Sequence, residues 1–174
     1  MEEVLSLIKM NLKWAIARRY IPKKLQTKEQ FKWYRTGFVA FINEVLQQFG
    51  EEAEAIIEKI AEKMTDGIID AMDLNFGVPG ESFAYAVDAW LIGTNGIGSK
   101  FHLERPDETT AVFNHLTCPI YDAFAASGHY NCHIICIPNV RRLAQRYDPS
   151  ADVEVIKFPN KESPCTKKLV HRVL

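Results

Sequence analysis

Hydrophobic positions follow a helical period in the first half of the chain and a strand-like alternation in the second. Residues 1–92 carry apolar stripes with helical spacing, and a proline after Ile21 and a glycine at position 50 mark ends of such segments. A capping-box pattern at Thr27 and Gln30 marks the start of one helix. This half is therefore predicted to be helical, with helices over about 2–20, 28–49, 51–75 and 81–92.

Residues 93–174 alternate between apolar and polar positions and contain all four cysteines. We expect two antiparallel hairpins here, with strands over about 98–104, 109–116, 152–158 and 166–173. Two helices, one from Cys118 to about Gly128 and one over about 131–147, are expected between the hairpins. The predicted fold class is α+β: N-terminal helices, then an antiparallel sheet of about four strands with helices between two hairpins. Both regions are expected to form a single compact domain.

Three glycines between the two halves, Gly93, Gly96 and Gly98, superficially resemble a phosphate-binding loop. A dinucleotide fingerprint requires a strand before the loop and a helix after it, and here the predicted order is the reverse. The spacing favours the end of a helix followed by a turn.

The composition of the chain bears on whether it binds nucleic acid or a membrane and on its location in the cell. The 174 residues have a formal net charge of −1, which gives no electrostatic reason to expect nucleic acid as a partner. No apolar run approaches the roughly 20 residues that span a bilayer, so we expect no membrane association. The acidic start MEEVLSLIKM is unlike a signal peptide. A cytoplasmic location with reduced thiols is the resulting expectation.

Cysteines and histidines cluster in the second half, and this clustering is the strongest chemical feature of the sequence. Thiolate and imidazole ligands suit zinc, whereas the scattered spacing suits an iron–sulfur cluster less well. The alternative is that the cysteines pack as small buried hydrophobes and the histidines serve as hydrogen-bonded structural residues. The candidate metal ligands are Cys118, Cys132, Cys136 and Cys165, and the nearby histidines are His115, His129, His133 and His171.

A catalytic thiol is a second chemical interpretation, and Cys118 is its best candidate. Cys118 precedes Pro119 at the predicted start of a helix, where the helix dipole favours a thiolate. His115 lies three residues earlier and is a candidate base, and Asp122 lies one turn later and could orient a base or act as an acid.

The stretch CPIYDAFAASG, the later cysteines and VEVIKF resemble the C-terminal part of the L-2-amino-thiazoline-4-carboxylic acid hydrolase family. They are also similar, more distantly, to 4-vinyl-reductase-type hydrocarbon-binding domains. The resemblance covers about residues 112–173. It departs from the family at Asn139, where the family usually has Asp, and in the run before the last cysteine, where the family commonly has a Gly-rich acidic turn. The residues that carry it are Cys118, Pro119, Tyr121, Cys132, Cys136 and Cys165.

The hydrolase resemblance implies ring-opening hydrolysis of a small thiazoline-type heterocycle. The related domains imply instead a non-catalytic module that binds a small molecule or a metal and is often dimeric. The long apolar stripes of helices 28–49 and 51–75 also favour a homodimer, because one small sheet cannot cover them both.

Overall fold

The computed structural model describes residues 23–77 and 80–172 of the chain. The predicted helix over 2–20 lies outside these residues. The described residues form five helices, which are α1 (Lys23–Phe49), α2 (Glu51–Phe76), α3 (Phe83–Gly96), α4 (Pro119–Ala125) and α5 (His133–Tyr147). Four strands are β1 (Lys100–Asp107), β2 (Thr110–Thr117), β3 (Ala151–Lys157) and β4 (Thr166–His171). The α+β class and the order of helices before sheet are confirmed.

The chain divides into two units, Met1–Phe38 and Val39–Leu174. The first unit contains the N-terminal part of α1. The second contains the rest of α1, the whole sheet and all of the cysteines. No described helix is long and apolar enough to cross a bilayer.

The four strands form one antiparallel sheet in the order β1-β2-β4-β3. The two predicted hairpins, β1-β2 and β3-β4, are joined by pairing between β2 and β4. In this register Phe113 of β2 lies opposite Lys167 of β4, and Val155 of β3 lies opposite Lys167 on the other side. The first half of the last strand therefore sits in the middle of the sheet.

One face of the sheet packs against α3 and α5 and forms the core. Trp90 of α3 stacks on Phe113 of β2 with ring centroids 3.9 Å apart, and both side chains are buried. Ala111 and Leu169 continue this apolar surface along β2 and β4. Because successive strand residues point to opposite faces, their neighbours Val112 and Lys168 lie on the other face of the sheet.

Helix α2 is tied to α5 by polar contacts along its length. Arg146 donates to Asp73 at 2.9 Å, and the Tyr147 hydroxyl donates to the other Asp73 oxygen at 2.8 Å. The Tyr147 hydrogen bond, more than the adjacent Arg146, lowers the pKa of Asp73 despite partial desolvation. Two turns earlier, the buried Thr65 hydroxyl donates to the Asn139 side-chain oxygen at 2.8 Å. This contact gives Asn139 a structural role between the two helices.

The glycine-containing turn begins later than the sequence predicts. Helix α3 continues through Gly93 to Gly96, and the chain turns at Gly98, whose φ is 75°. A Cβ on Gly93 would lie 3.4 Å from Leu143 of α5, within ordinary van der Waals contact, so Gly93 lies where the two helices pack together. Gly93 is thus a helix-packing residue, while Gly98 supplies the predicted turn.

Candidate functional site

Lys167 is a charged side chain on the core face of the sheet. Strand β4 alternates between partly exposed and buried positions, and Lys167 shares its inward face with the buried Leu169. Cys165 lies just before the strand, two residues earlier, and is also buried. Lys167 itself is only 1% exposed. The strand thus delivers an amino group into the interior beside a thiol.

The Lys167 amino group contacts sulfur atoms. Its Nζ donates a hydrogen bond to Cys136 Sγ at 2.7 Å, and it also interacts with the Cys165 side chain. Within the described ranges, no Asp or Glu forms an ion pair with Lys167. A buried ammonium needs polar or charged partners, and the groups that contact it are cysteine sulfurs.

Two opposing effects, burial and contact with sulfur atoms, determine the pKa of Lys167. Burial alone lowers the pKa of a lysine because the charged form loses its hydration. Interaction with the Cys136 and Cys165 sulfurs more than offsets burial, so the pKa of Lys167 lies above its usual value of 10.5. We infer that Lys167 is an ammonium at neutral pH and that the Cys136 sulfur is its closest contact.

Helix α5 brings two cysteines to this ammonium. Cys132 is the N-cap residue and Cys136 lies one turn later, and the Cys136 amide donates to the Cys132 carbonyl at 3.1 Å. The N-terminal turn of a helix has a partial positive charge, which favours a thiolate there. Cys132 is buried, whereas Cys136 is partly exposed and packs against the edge of the core. Cys136 is therefore the thiol of the cluster that solvent reaches best.

Cys118 is the N-cap residue of α4, as the Pro119 pattern predicts. Its side chain is buried, and burial raises the pKa of its thiol, although backbone amides of the first turn partly oppose this. Asp122 lies on the same helix and is exposed. Its backbone amide donates to the Cys118 carbonyl at 2.9 Å, so this contact between the two residues is part of the helix.

Burial also raises the pKa values of Cys132 and Cys165. In each case the Lys167 charge works in the opposite direction but does not overcome desolvation. Cys136 and Cys165 thus contact the Lys167 amino group, and Cys118 and Cys132 lie close enough to interact with its charge, although 47 positions separate Cys118 from Cys165. We call these four cysteines and Lys167 the thiol–lysine cluster.

His115 lies on β2 beside this cluster and is buried. Its Nδ1 is 3.0 Å from Ser99 Oγ, and the Ser99 hydroxyl donates to the Thr117 carbonyl at 2.7 Å. Because the serine proton is already used, His115 must donate through Nδ1, and its Nε2 then carries the lone pair. This Nε2 is buried with no hydrogen-bond partner among the described residues.

Burial, together with the nearby Lys167 charge, lowers the pKa of His115 to about 4. The imidazole is therefore neutral at pH 7. Protonation of its unpaired Nε2 is unfavourable because it would place a second positive charge in the interior near Lys167. Its ring is tied to Ser99, which fixes the orientation of the imidazole.

The other histidines have different surroundings. His133 packs edge-on against Phe158 with centroids 4.9 Å apart, and burial and Lys167 lower its pKa. His171 contacts the buried Asp148 carboxylate at 2.7 Å. His133 thus lies close enough to Lys167 to interact with its charge, whereas His171 makes a separate contact with a buried carboxylate.

The sequence predicts zinc on the four cysteines, and the contacts of their side chains bear on whether the cysteines could hold it as they are placed. Among the described residues, no three His, Cys, Asp or Glu side chains form a group arranged to hold a metal ion. Cys136 Sγ is in contact with an ammonium, and a dication bound to the same sulfur would be repelled by that charge. The cysteines offer suitable donors for zinc only if Lys167 moves away or loses its proton.

The sequence analysis did not identify Lys167, although a signal for it is present. The alternation that places Leu169 toward the core also places Lys167 and Cys165 on that side. A lysine at an inward strand position, two residues from a cysteine, is unusual because lysine is almost never fully buried without a partner. That pattern indicates a buried ion pair.

Comparisons of the chain with protein-family models and with curated proteins found no match.

Proposed function

We propose that this chain is a hydrolase that opens a small thiazoline-type heterocycle at a C–N bond, and that the thiol–lysine cluster is its site. The observation that carries the proposal is the 2.7 Å contact between Lys167 Nζ and Cys136 Sγ. It pairs a nucleophile with a proton donor, and both are needed to open such a ring. The sequence resemblance to the thiazoline carboxylate hydrolases supplies the substrate class.

The chemistry would proceed in two steps at Cys136. The thiolate adds to the electrophilic ring carbon, the bond from that carbon to the ring nitrogen breaks, and the nitrogen takes a proton from Lys167. A water molecule then attacks the same carbon and displaces the Cys136 thiolate. The water gives one proton back to Lys167, which restores the ammonium and the thiolate for another cycle.

Cys136 suits this role because it is partly exposed while the other three thiols are buried. Cys118 stays a predicted nucleophile, with His115 and Asp122 as its predicted partners. Burial raises the pKa of the Cys118 thiol, which disfavours its thiolate. The exposure of Cys136 and its contact with Lys167 therefore favour Cys136 as the nucleophile. A proposed cytoplasmic location would keep these thiols reduced.

A second proposal, from a different functional class, is a non-catalytic module that binds a small molecule or zinc. The convergence of four thiols and the unpartnered Nε2 of His115 support it. In that case Cys118, Cys132, Cys136 and Cys165 would be the ligands, and Lys167 would have to leave the position beside Cys136. An iron–sulfur cluster on the same cysteines is the less suitable variant.

The test is turnover of 2-amino-thiazoline-4-carboxylate by the wild type and three variants, with metal content measured on the same samples. Cys136→Ser is expected to abolish turnover, and Lys167→Met to lower it by about 10²–10⁴-fold, the usual contribution of a positioned proton donor. Cys118→Ser is expected to retain activity.

The outcomes separate the proposals. Loss of turnover in Cys118→Ser together with retention in Cys136→Ser would move the nucleophile to Cys118. A folded wild type without turnover, with about one zinc per chain that is lost in Cys136→Ser, would favour the binding module. A folded wild type with neither turnover nor metal would contradict both the hydrolase and the zinc-binding module.

A further inference from the structure

We propose that Cys136 and Lys167 form a covalent modification site, in which oxidation by a peroxide joins Lys167 Nζ to Cys136 Sγ through one oxygen atom. This inference goes beyond hydrolysis and does not depend on it. It concerns what the pair becomes under oxidation rather than what it does to a substrate.

The distance between the two atoms is the first observation. Charge-assisted N–H···O bonds are about 2.7–2.9 Å long, and sulfur is a larger atom than oxygen, so an N–H···S contact is normally longer. The 2.7 Å between Nζ and Sγ is short for such a contact. It is too long for a direct N–S bond but is close to the separation that results when one oxygen is bonded to both atoms. The bridge therefore requires little movement of either side chain.

The surroundings are the second observation. Lys167 is enclosed by the sheet and by α5, so its amino group is held at the sulfur. Cys136 is partly exposed, which gives a molecule as small as hydrogen peroxide a path to it. Its position near the N-terminus of α5 and beside an ammonium is the environment in which thiolates are oxidised first.

The first chemical step uses one peroxide. The Cys136 thiolate attacks one peroxide oxygen, the O–O bond breaks, and the sulfur becomes a sulfenic acid. The departing hydroxide takes a proton from the Lys167 ammonium and leaves as water. The sulfur has lost two electrons, the peroxide has gained them, and Lys167 is now a neutral amine with a free lone pair.

The second step uses another peroxide. The amine and the sulfenic acid together lose two electrons to it, which forms the N–O bond of the bridge. One N–H proton and the sulfenic O–H proton leave with the two peroxide oxygens as two water molecules. In sum, one thiol, one amine and two peroxides give one N–O–S bridge and three water molecules. Two molecules of a dithiol reductant would reverse this, because each returns two electrons and the bridging oxygen leaves as water.

Peptide-level mass spectrometry of the full chain after hydrogen peroxide treatment is the test. The expected product has gained one oxygen and lost two hydrogens, it links the peptides that contain Cys136 and Lys167, and dithiothreitol restores the original mass. Trypsin should also stop cleaving after Lys167, since that side chain is no longer a free cation.

Matched variants assign the bridge. Cys136→Ser should abolish the linked product, whereas Cys118→Ser, which removes another buried thiol of the cluster, should keep it. Wild-type protein that gives only a disulfide, only a direct N–S link, or only a sulfinic acid at Cys136 would overturn the proposal. Because the readout is a mass, it can fail or succeed independently of turnover.

Discussion

Lys167 and Cys136 meet inside the protein, with Nζ 2.7 Å from Sγ and the lysine 1% exposed. Burial on its own would move a lysine toward the neutral amine by several pKa units. The sulfur contacts reverse that tendency and raise the pKa of Lys167. The buried ammonium therefore depends on its sulfur partner, because removing that partner would leave an uncompensated charge in the core.

The first prediction concerns thiol reactivity. Cys136 should react with iodoacetamide at neutral pH faster than the other three cysteines, because it is partly exposed and paired with an ammonium while they are buried. Lys167→Met should slow alkylation of Cys136 by about tenfold or more, since the thiolate loses its countercharge. Mass spectrometry of each cysteine peptide over time measures these rates.

Lys168→Met is the matched control for that experiment. Lys168 lies on the opposite face of the sheet and pairs with Glu154 at 2.7 Å. Its replacement should leave the Cys136 rate unchanged. Equal slowing in both lysine variants would show that a general change of charge, not the contact with Cys136, controls reactivity.

The second prediction concerns the dependence of stability on pH. The pKa of His115 falls from 6.5 to about 4 on folding, so between these values the unfolded chain binds the proton and the folded chain does not. Stability is therefore complete above pH 6.5 and decreases as the pH falls toward 4. The loss from this residue is about 3 kcal/mol.

Urea unfolding between pH 4 and 7 measures that slope. His115→Asn should give a shallower curve, because the titrating group is gone. His102→Asn, at an exposed position on β1, serves as the control and should leave the slope as in the wild type. An unchanged slope in His115→Asn would argue against a buried neutral imidazole.

The third prediction concerns packing beneath the cluster. Phe113 is fully buried, stacks on Trp90 and lies opposite Lys167 in the sheet. Phe113→Ala should lower the free energy of unfolding by about 3–5 kcal/mol. Val112→Ala, one position away on the other face, should cost much less. Denaturant titrations of the two variants compare the costs, and similar values would contradict the assignment of faces.

The fourth prediction concerns self-association, which we propose on the basis of apolar side chains on α2. Ile56, Met64 and Ile68 are each more than 40% exposed and recur at helical spacing. Met64→Glu combined with Ile68→Glu should convert a homodimer into a monomer with the helical content preserved. Light scattering with circular dichroism tests this, and a wild type that is monomeric at high micromolar concentration would rule the dimer out.

Much of the fold could be predicted from periodicity, because each described element buries one stripe or one face. The pairing of β2 with β4 could not be predicted, since hydrophobic alternation identifies strands but not their order. Gly93 was expected in a loop because glycine disfavours helices. It lies inside α3 instead, on the side that packs against Leu143, so tertiary packing decides its conformation rather than intrinsic propensity.

The cluster was only partly predictable. Clustering of the cysteines along the chain indicated a shared site, but sequence spacing cannot show which thiol remains accessible. Proton affinities depend on burial and neighbouring charge, so the raised pKa of Cys118 and the lowered pKa of His115 required the three-dimensional arrangement. Lys167 was not predicted as a site residue, because a lysine is neither a common metal ligand nor an obvious partner for a thiol until its burial is known.

The ionisation of Lys167 is the central claim, and NMR titration of its side-chain Nζ and Cε signals measures it directly. In the wild type and in Cys118→Ser, these signals should report an ammonium from pH 6 to above the ordinary lysine value of 10.5. In Cys136→Ser the ammonium loses its countercharge, so the transition should move well below that value. A neutral Lys167 amine at pH 7 in the wild type, or a titration unaffected by Cys136→Ser, would contradict the account.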